Sequence, residues 1–62
     1  MPDSPSDVLF EFTAIGTVVR VAAIHVATGT EVTVMGPTSA SRKDLERLAL
    51  QKLKARLARE AR

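Results

Sequence analysis

Residues 41–59 read SRKDLERLALQKLKARLAR, and this stretch decides the fold because it predicts one long amphipathic helix. After Ser41 it contains no Gly or Pro, and good helix formers (Leu, Ala, Lys, Arg, Glu and Gln) dominate it. Ser41 is a favourable N-cap, and Asp44 three residues later makes an approximate capping box. Ser39 is a competing cap that would start the helix two residues earlier.

The apolar side of this helix is wider than one small sheet requires. At about 100° per residue the apolar arc spans roughly 220°, whereas a helix lying on a sheet needs a stripe of about 100° or a little more. The surplus predicts a second protein surface, with Leu50 and Leu57 as the contact residues. The main stripe consists of Leu45, Leu48, Ala49, Leu53 and Leu57.

Residues 8–25 predict a β-hairpin. Apolar side chains alternate along Val8–Ile15, and the run Val18–His25 is rich in β-branched residues. Gly16-Thr17 suits a two-residue type II′ turn, because Gly accepts a positive φ cheaply. This turn pairs apolar residues with apolar residues, and a slip of one position would mix the two faces. The apolar pairs are Ala14 with Val19, Phe12 with Val21, and Phe10 with Ala23.

A second turn at residues 26–29 predicts a third strand. A four-residue loop with Gly29 in the left-handed region pairs Ala23 with Val32 and Val21 with Val34. The strand is expected to start at Thr30 or Glu31 and to end at Met35, since Pro37 has no N–H for a ladder.

We therefore predict an α+β domain of β-β-β-α order, a three-stranded antiparallel meander followed by one C-terminal helix. Residues 7–62 form this single domain, and residues 1–6, which are acidic and rich in Pro and Ser, form a flexible tail. The predicted core is Phe10, Phe12, Val19, Val21, Val32, Val34, Leu45, Leu48, Ala49 and Leu53.

The composition restricts the function classes. The chain has 62 residues, no Cys and a single His, so it offers neither disulfides nor the usual zinc or haem ligands. We expect no metal and no cofactor. A secretory signal and a membrane-spanning run are also missing from the sequence, which favours a cytoplasmic protein without membrane contact.

Candidate catalytic residues are few. His25 is the only possible acid or base for catalysis at neutral pH, and a lone His is more often structural. Ser39 and Ser41 are explained as helix caps. No set of nucleophile, base and oxyanion donors is evident, so we expect no enzyme activity.

Charge is divided along the chain. Residues 1–41 sum to −3 and residues 42–62 sum to +5. A basic helix can attract nucleic acid, although a solvated helix face explains the same charges. The residues that could contact nucleic acid are Arg42, Lys43, Arg47, Lys52, Lys54, Arg56 and Arg59.

Two resemblances bear on function. Residues 32–53 look like the end of a double-stranded-RNA-binding domain, in which a strand leads through Gly and Ser into a helix with basic residues on RNA phosphates. The matching positions are Gly36, Ser41, Arg42 and Lys43. The first helix and the groove-entering loop of that domain are absent here, which puts RNA binding in doubt.

The chain also resembles a family of small bacterial proteins of unknown function, about 60 residues long. The segments that carry this resemblance are 7–12 (DVLFEF), 27–32 (ATGTEV), 34–37 (VMGP) and 49–53 (ALQKL). It implies no activity, cofactor or site. The leading hypothesis is a non-enzymatic protein-interaction module that forms a homodimer or binds another protein. The alternative is a nucleic-acid-binding module.

Overall fold

The structure, a computed structural model, describes residues 7–60 as three strands and one helix. The strands form one antiparallel sheet in the order β1-β2-β3. The predicted β-β-β-α fold is confirmed. The predicted tail at residues 1–6 lies outside the described residues. The elements are β1 (Val8–Ile15), β2 (Val18–His25), β3 (Thr30–Pro37) and α1 (Arg42–Glu60).

Both predicted turns and the strand register are confirmed. Phe12 pairs with Val21, and Val21 pairs with Val34. Gly16 has a φ of 62°, and no described residue other than Gly has a positive φ, which is the φ pattern of a type II′ turn. Gly29 has a φ of 74°, and its N–H donates to the His25 carbonyl at 2.8 Å.

β3 extends two residues beyond its predicted end. The Thr38 N–H donates to the Thr17 carbonyl at 3.0 Å, so even-numbered residues of β3 bond to β2 and odd-numbered residues face the outer edge. Pro37 therefore lacks an N–H only where none is needed for pairing with β2. The expectation that the strand ends at Met35 was wrong for this reason.

The core lies between α1 and the inner face of the sheet, where α1 packs against β2 and β3. Phe10, Phe12, Val19 and Val34 are partly buried and pack against this core, as does Leu57. The fully enclosed cluster is Val21, Ala23, Val32, Leu45, Ala49 and Leu53.

Leu48 was predicted to be a core residue but is 53% exposed. It lies one turn before Lys52, so the two side chains share a side of α1. The Lys52 ammonium donates to the Thr33 carbonyl at 2.7 Å. This carbonyl points away from β2, toward the outer edge of the sheet. This side of α1 therefore extends beyond β3, and none of the three strands in the described part of the chain covers Leu48.

The start of α1 is fixed by a cap and a close contact. The Asp44 N–H donates to Ser41 Oγ at 3.4 Å, which confirms Ser41 as the N-cap. Leu45 in the first turn packs against Gly36, where an added Cβ would lie 2.6 Å from Leu45 Cδ2. Gly36 thus allows the helix to approach β3 closely. Among the described residues, no helix combines the length and the apolar character needed to cross a membrane.

Candidate interaction surfaces

The outer face of the sheet carries exposed apolar side chains at both ends. Ile15 and Val18 are cross-strand neighbours at one end, and Leu9 and Ile24 are neighbours at the other. Leu9 is 56% exposed and Ile15 is 65% exposed. Between them lie polar residues and the small Ala22 at the centre of the sheet, so the face is a mixed surface with apolar ends. The polar residues are Glu11, Thr13, Arg20, Glu31 and Thr33.

The inner face is covered unevenly. α1 lies over β2 and β3, while Phe10 and Phe12 on β1 remain only partly buried. The Arg42 guanidinium lies 4.1 Å from the centre of the Phe12 ring, a cation–π contact at the first helical residue. β1 therefore contributes aromatic side chains to the margin of the core rather than to its centre.

The two leucines predicted to contact a partner differ in their surroundings. Leu57 is partly buried and packs against the core of its own chain. Leu50 is also partly buried but is not among the side chains packed against the core cluster. Leu50 therefore contributes less than Leu57 to the core of its own chain.

Several of the basic residues predicted to contact nucleic acid already have partners within the chain. Besides Arg42 and Lys52, the Arg56 Nε–H donates to Glu60 at 3.1 Å, and Arg47 lies 3.9 Å from Asp44 in a well-exposed pair. Lys43, Lys54 and Arg59 are exposed and make no ion pair or hydrogen bond with other residues of the described range 7–60. The structure therefore does not gather all seven onto one open surface.

A hydrogen-bond network connects the second turn to the end of α1. It was not predicted from the sequence. The Thr28 hydroxyl donates to Thr30 Oγ1 at 2.9 Å, and the Thr30 hydroxyl donates to Glu60 Oε1 at 3.1 Å. His25 Nδ1 lies 2.8 Å from Thr28 Oγ1. Since the Thr28 proton is already used, Nδ1–H is the donor in this assigned network. The Arg56 Nε–H donates to the other carboxylate oxygen of Glu60, Oε2, and is the last member of this network.

In this network the His25 side chain bonds within the β2–β3 turn. The spacing of residues 25, 28 and 30 around a tight turn is a local signal, but Glu60 is distant in sequence and could be placed only by the packing of α1. The network ties the C-terminal turn of α1 to the β2–β3 loop through exposed groups.

A shallow cleft of about 190 Å³ lies between β3 and α1, lined by one valine, one alanine and three basic side chains. Within residues 7–60, no group of three or more His, Asp or Glu side chains could hold a metal ion. The lining residues of the cleft are Val32, Lys52, Ala55, Arg56 and Arg59.

The fold and these surfaces define a small α+β domain whose accessible features are apolar and basic surfaces. Residues 5–60 match a protein family described as a domain of unknown function, DUF6898, and the chain belongs to this family. The resemblance to a family of unknown function is thereby confirmed. Comparison with curated proteins found no match, and comparison with solved structures found none either.

Proposed function

We propose that this protein is a non-enzymatic interaction module that acts as a homodimer. The observation that carries the proposal is the apolar surface that one helix leaves uncovered. Ile15, Leu9 and Leu48 are each more than half exposed, and Met35 is 66% exposed. They lie at the two ends of the outer face, on β3 and on α1, and a second copy of the chain could remove part of this apolar surface from water.

The small core gives the same indication. Among residues 7–60, six side chains form the enclosed cluster. A domain of about 60 residues buries only about 60% of its unfolded surface. Chains of this size commonly gain stability from association, since a partner removes further apolar surface from water. A second copy of the same chain could provide this partner surface without any other protein.

The non-enzymatic part of the proposal rests on how the polar groups are used. His25 bonds to Thr28 in a turn, and Ser41 caps α1. Glu11 and Glu31 lie on the outer face of the sheet, on opposite edge strands. These groups are dispersed over the molecule, whereas catalysis requires a nucleophile or base brought together with groups that stabilise charge.

Sedimentation velocity over a wide concentration range tests the proposal directly. The chain has a mass of 6.7 kDa, so a dimer sediments as a species of twice that mass, and dilution yields the dissociation constant. We expect dimer at micromolar concentration. A species that stays at 6.7 kDa up to millimolar concentration contradicts the homodimer.

A nucleic-acid-binding module is the second candidate, supported by one observation. Lys43, Arg47 and Lys54 are spaced by four and seven residues, so they lie along one side of α1, and all three are exposed. Such a row could follow a phosphate backbone. Binding through these charges weakens as the salt concentration rises, with a slope of about −1 in log K against log salt for each phosphate contact.

Fluorescence anisotropy with a labelled duplex RNA and a labelled single strand tests this second candidate. A titration at low salt that saturates, and that weakens when Lys43 and Lys54 are both changed to Gln, supports it. A flat titration at low salt removes it.

A further inference from the structure

β1 presents a complete set of unpaired backbone groups at its outer edge. The Val26 N–H donates to the Asp7 carbonyl at 2.9 Å, so odd-numbered residues of this strand bond to β2. The N–H and C=O groups of Val8, Phe10, Phe12 and Ala14 therefore face outward. Within residues 7–60, none of these groups makes a hydrogen bond across that edge.

The edge of β3, by contrast, is partly closed by its own chain. Lys52 bonds to the Thr33 carbonyl, and the Pro37 carbonyl accepts the Ala40 N–H at 3.0 Å. Pro37 offers no N–H at all. A Lys or Pro placed at a sheet edge is a recognised means of preventing strand addition. Among residues 7–60, the edge of β1 is the one whose outward backbone groups bond to no other part of the chain along its whole length.

The strand β1 is also complementary to itself. An antiparallel pair centred on Phe12 places Phe12 opposite its equivalent and Phe10 opposite Ala14 of the second copy. On the outer face it places Leu9 opposite Ile15, which are both more than half exposed in the single chain, and Glu11 opposite Thr13. A pair centred one residue earlier would instead oppose two Glu11 side chains, and like charges directly opposite each other are destabilising.

We infer that the homodimer forms by antiparallel pairing of β1 with β1 of a second copy, in the register centred on Phe12. The inference rests on the proposed homodimer and names its interface. The two sheets become one six-stranded sheet with both helices on the same side. The backbone groups of Phe10, Phe12 and Ala14 then form about six hydrogen bonds across the twofold axis.

Cysteine cross-linking tests the strand and its register, since the natural chain contains no Cys. In the inferred pairing, Glu11 and Thr13 of the second copy form a non-hydrogen-bonded pair with Cα atoms about 4.5 Å apart, within disulfide range. Equal amounts of Glu11→Cys and Thr13→Cys proteins are mixed, oxidised and weighed by mass spectrometry. We expect the mixed disulfide to dominate, with little of either symmetric product.

The matched control uses Thr33→Cys and Met35→Cys. The backbone groups of these two residues face the outer edge of β3. We expect no efficient cross-link from this pair, alone or mixed. A dominant Glu11→Cys symmetric product overturns the register, and a dominant β3 product overturns the choice of edge. A wild-type chain that sediments as a monomer overturns the homodimer itself, so the two failures are distinguishable.

Proline substitution gives a second readout that does not depend on sulfur chemistry. Ala14 is exposed and its N–H faces outward, so Ala14→Pro removes a donor to the second copy without removing a bond to β2. We expect the dissociation constant to rise at least about tenfold, because each dimer loses two donors. Met35→Pro makes the same change at the edge of β3.

Circular dichroism should first be used to check that both proline variants keep the native fold, and sedimentation is then compared. An unchanged dissociation constant for Ala14→Pro, or a loss of dimer confined to Met35→Pro, contradicts pairing through β1.

Discussion

The two sides of the sheet's inner face differ in how much they depend on α1. On the β2–β3 side, Leu45, Ala49 and Leu53 enclose the core, and Lys52 reaches the strand edge. On the β1 side, Phe10 and Phe12 are only partly covered, and no other part of residues 7–60 bonds to the outer edge of the strand. One side is arranged for stability within the chain, and the other is available for contact outside it.

Leu53→Ala should have the largest effect, because it opens a cavity at the centre of the covered side. Leu53 is fully buried, and such truncations cost about 2–5 kcal/mol. Urea unfolding monitored by circular dichroism measures the loss. Leu48→Ala is the matched control, and its exposed side chain should change stability by no more than about 0.5 kcal/mol. Equal losses for the two leucines would refute the assignment of Leu48 to the overhanging side.

Gly36→Ala should have the next largest effect. The added Cβ would lie 2.6 Å from Leu45 Cδ2, so the Leu45 side chain must move, and overpacking of this kind costs about 1–3 kcal/mol. Thermal unfolding measures it. In a Leu45→Ala background the same substitution should cost much less, since the clashing atoms are absent. An identical cost in both backgrounds would show that Gly36 matters for another reason.

Arg42→Gln should cost about 0.5–1 kcal/mol by removing the cation above the Phe12 ring. The change keeps the side chain polar and leaves the Ser41 cap in place. Lys43→Gln removes one charge at the next position, which makes no such contact, and should be nearly neutral. If the two variants unfold at the same denaturant concentration, the ring contact contributes nothing to stability.

Lys52→Met should have the smallest effect on stability, about 0.5 kcal/mol, since the bond to the Thr33 carbonyl is exposed. Its main consequence should be at the edge of β3, where an outward carbonyl loses its cover. We expect higher-order association at high concentration, measured by light scattering, because a second edge becomes available. Lys54→Met, which adds the same apolar group at an exposed position of α1, should not produce it.

Local patterns were sufficient to predict the sheet. The alternation of apolar residues, together with Gly16 and Gly29 at positions that require positive φ, restricts the register to one solution, and that register is observed. Ser41 was identified because a cap is a property of a few consecutive residues.

What sequence reasoning missed depends on how α1 lies on the sheet. Leu48 fits the helical apolar stripe, and only the placement of α1 over β2 and β3 shows that it overhangs the edge. The bonds from Lys52 to Thr33 and from Thr30 to Glu60 join residues 19 and 30 positions apart, so no local pattern reveals them. The effect of Pro37 was predicted wrongly because its backbone points away from β2. This direction depends on which residues of β3 form the hydrogen bonds to β2.

The meander also determines the order in which the chain can fold. Each strand pairs with the next one along the sequence, through loops of two and four residues, so most contacts are local and folding should be fast. A hairpin forms in about 1–10 μs, whereas a ribosome adds the 19 residues of α1 in roughly one to four seconds. We therefore expect the β1–β2 hairpin to be able to form before α1 is complete, with its apolar inner face exposed until α1 packs on it.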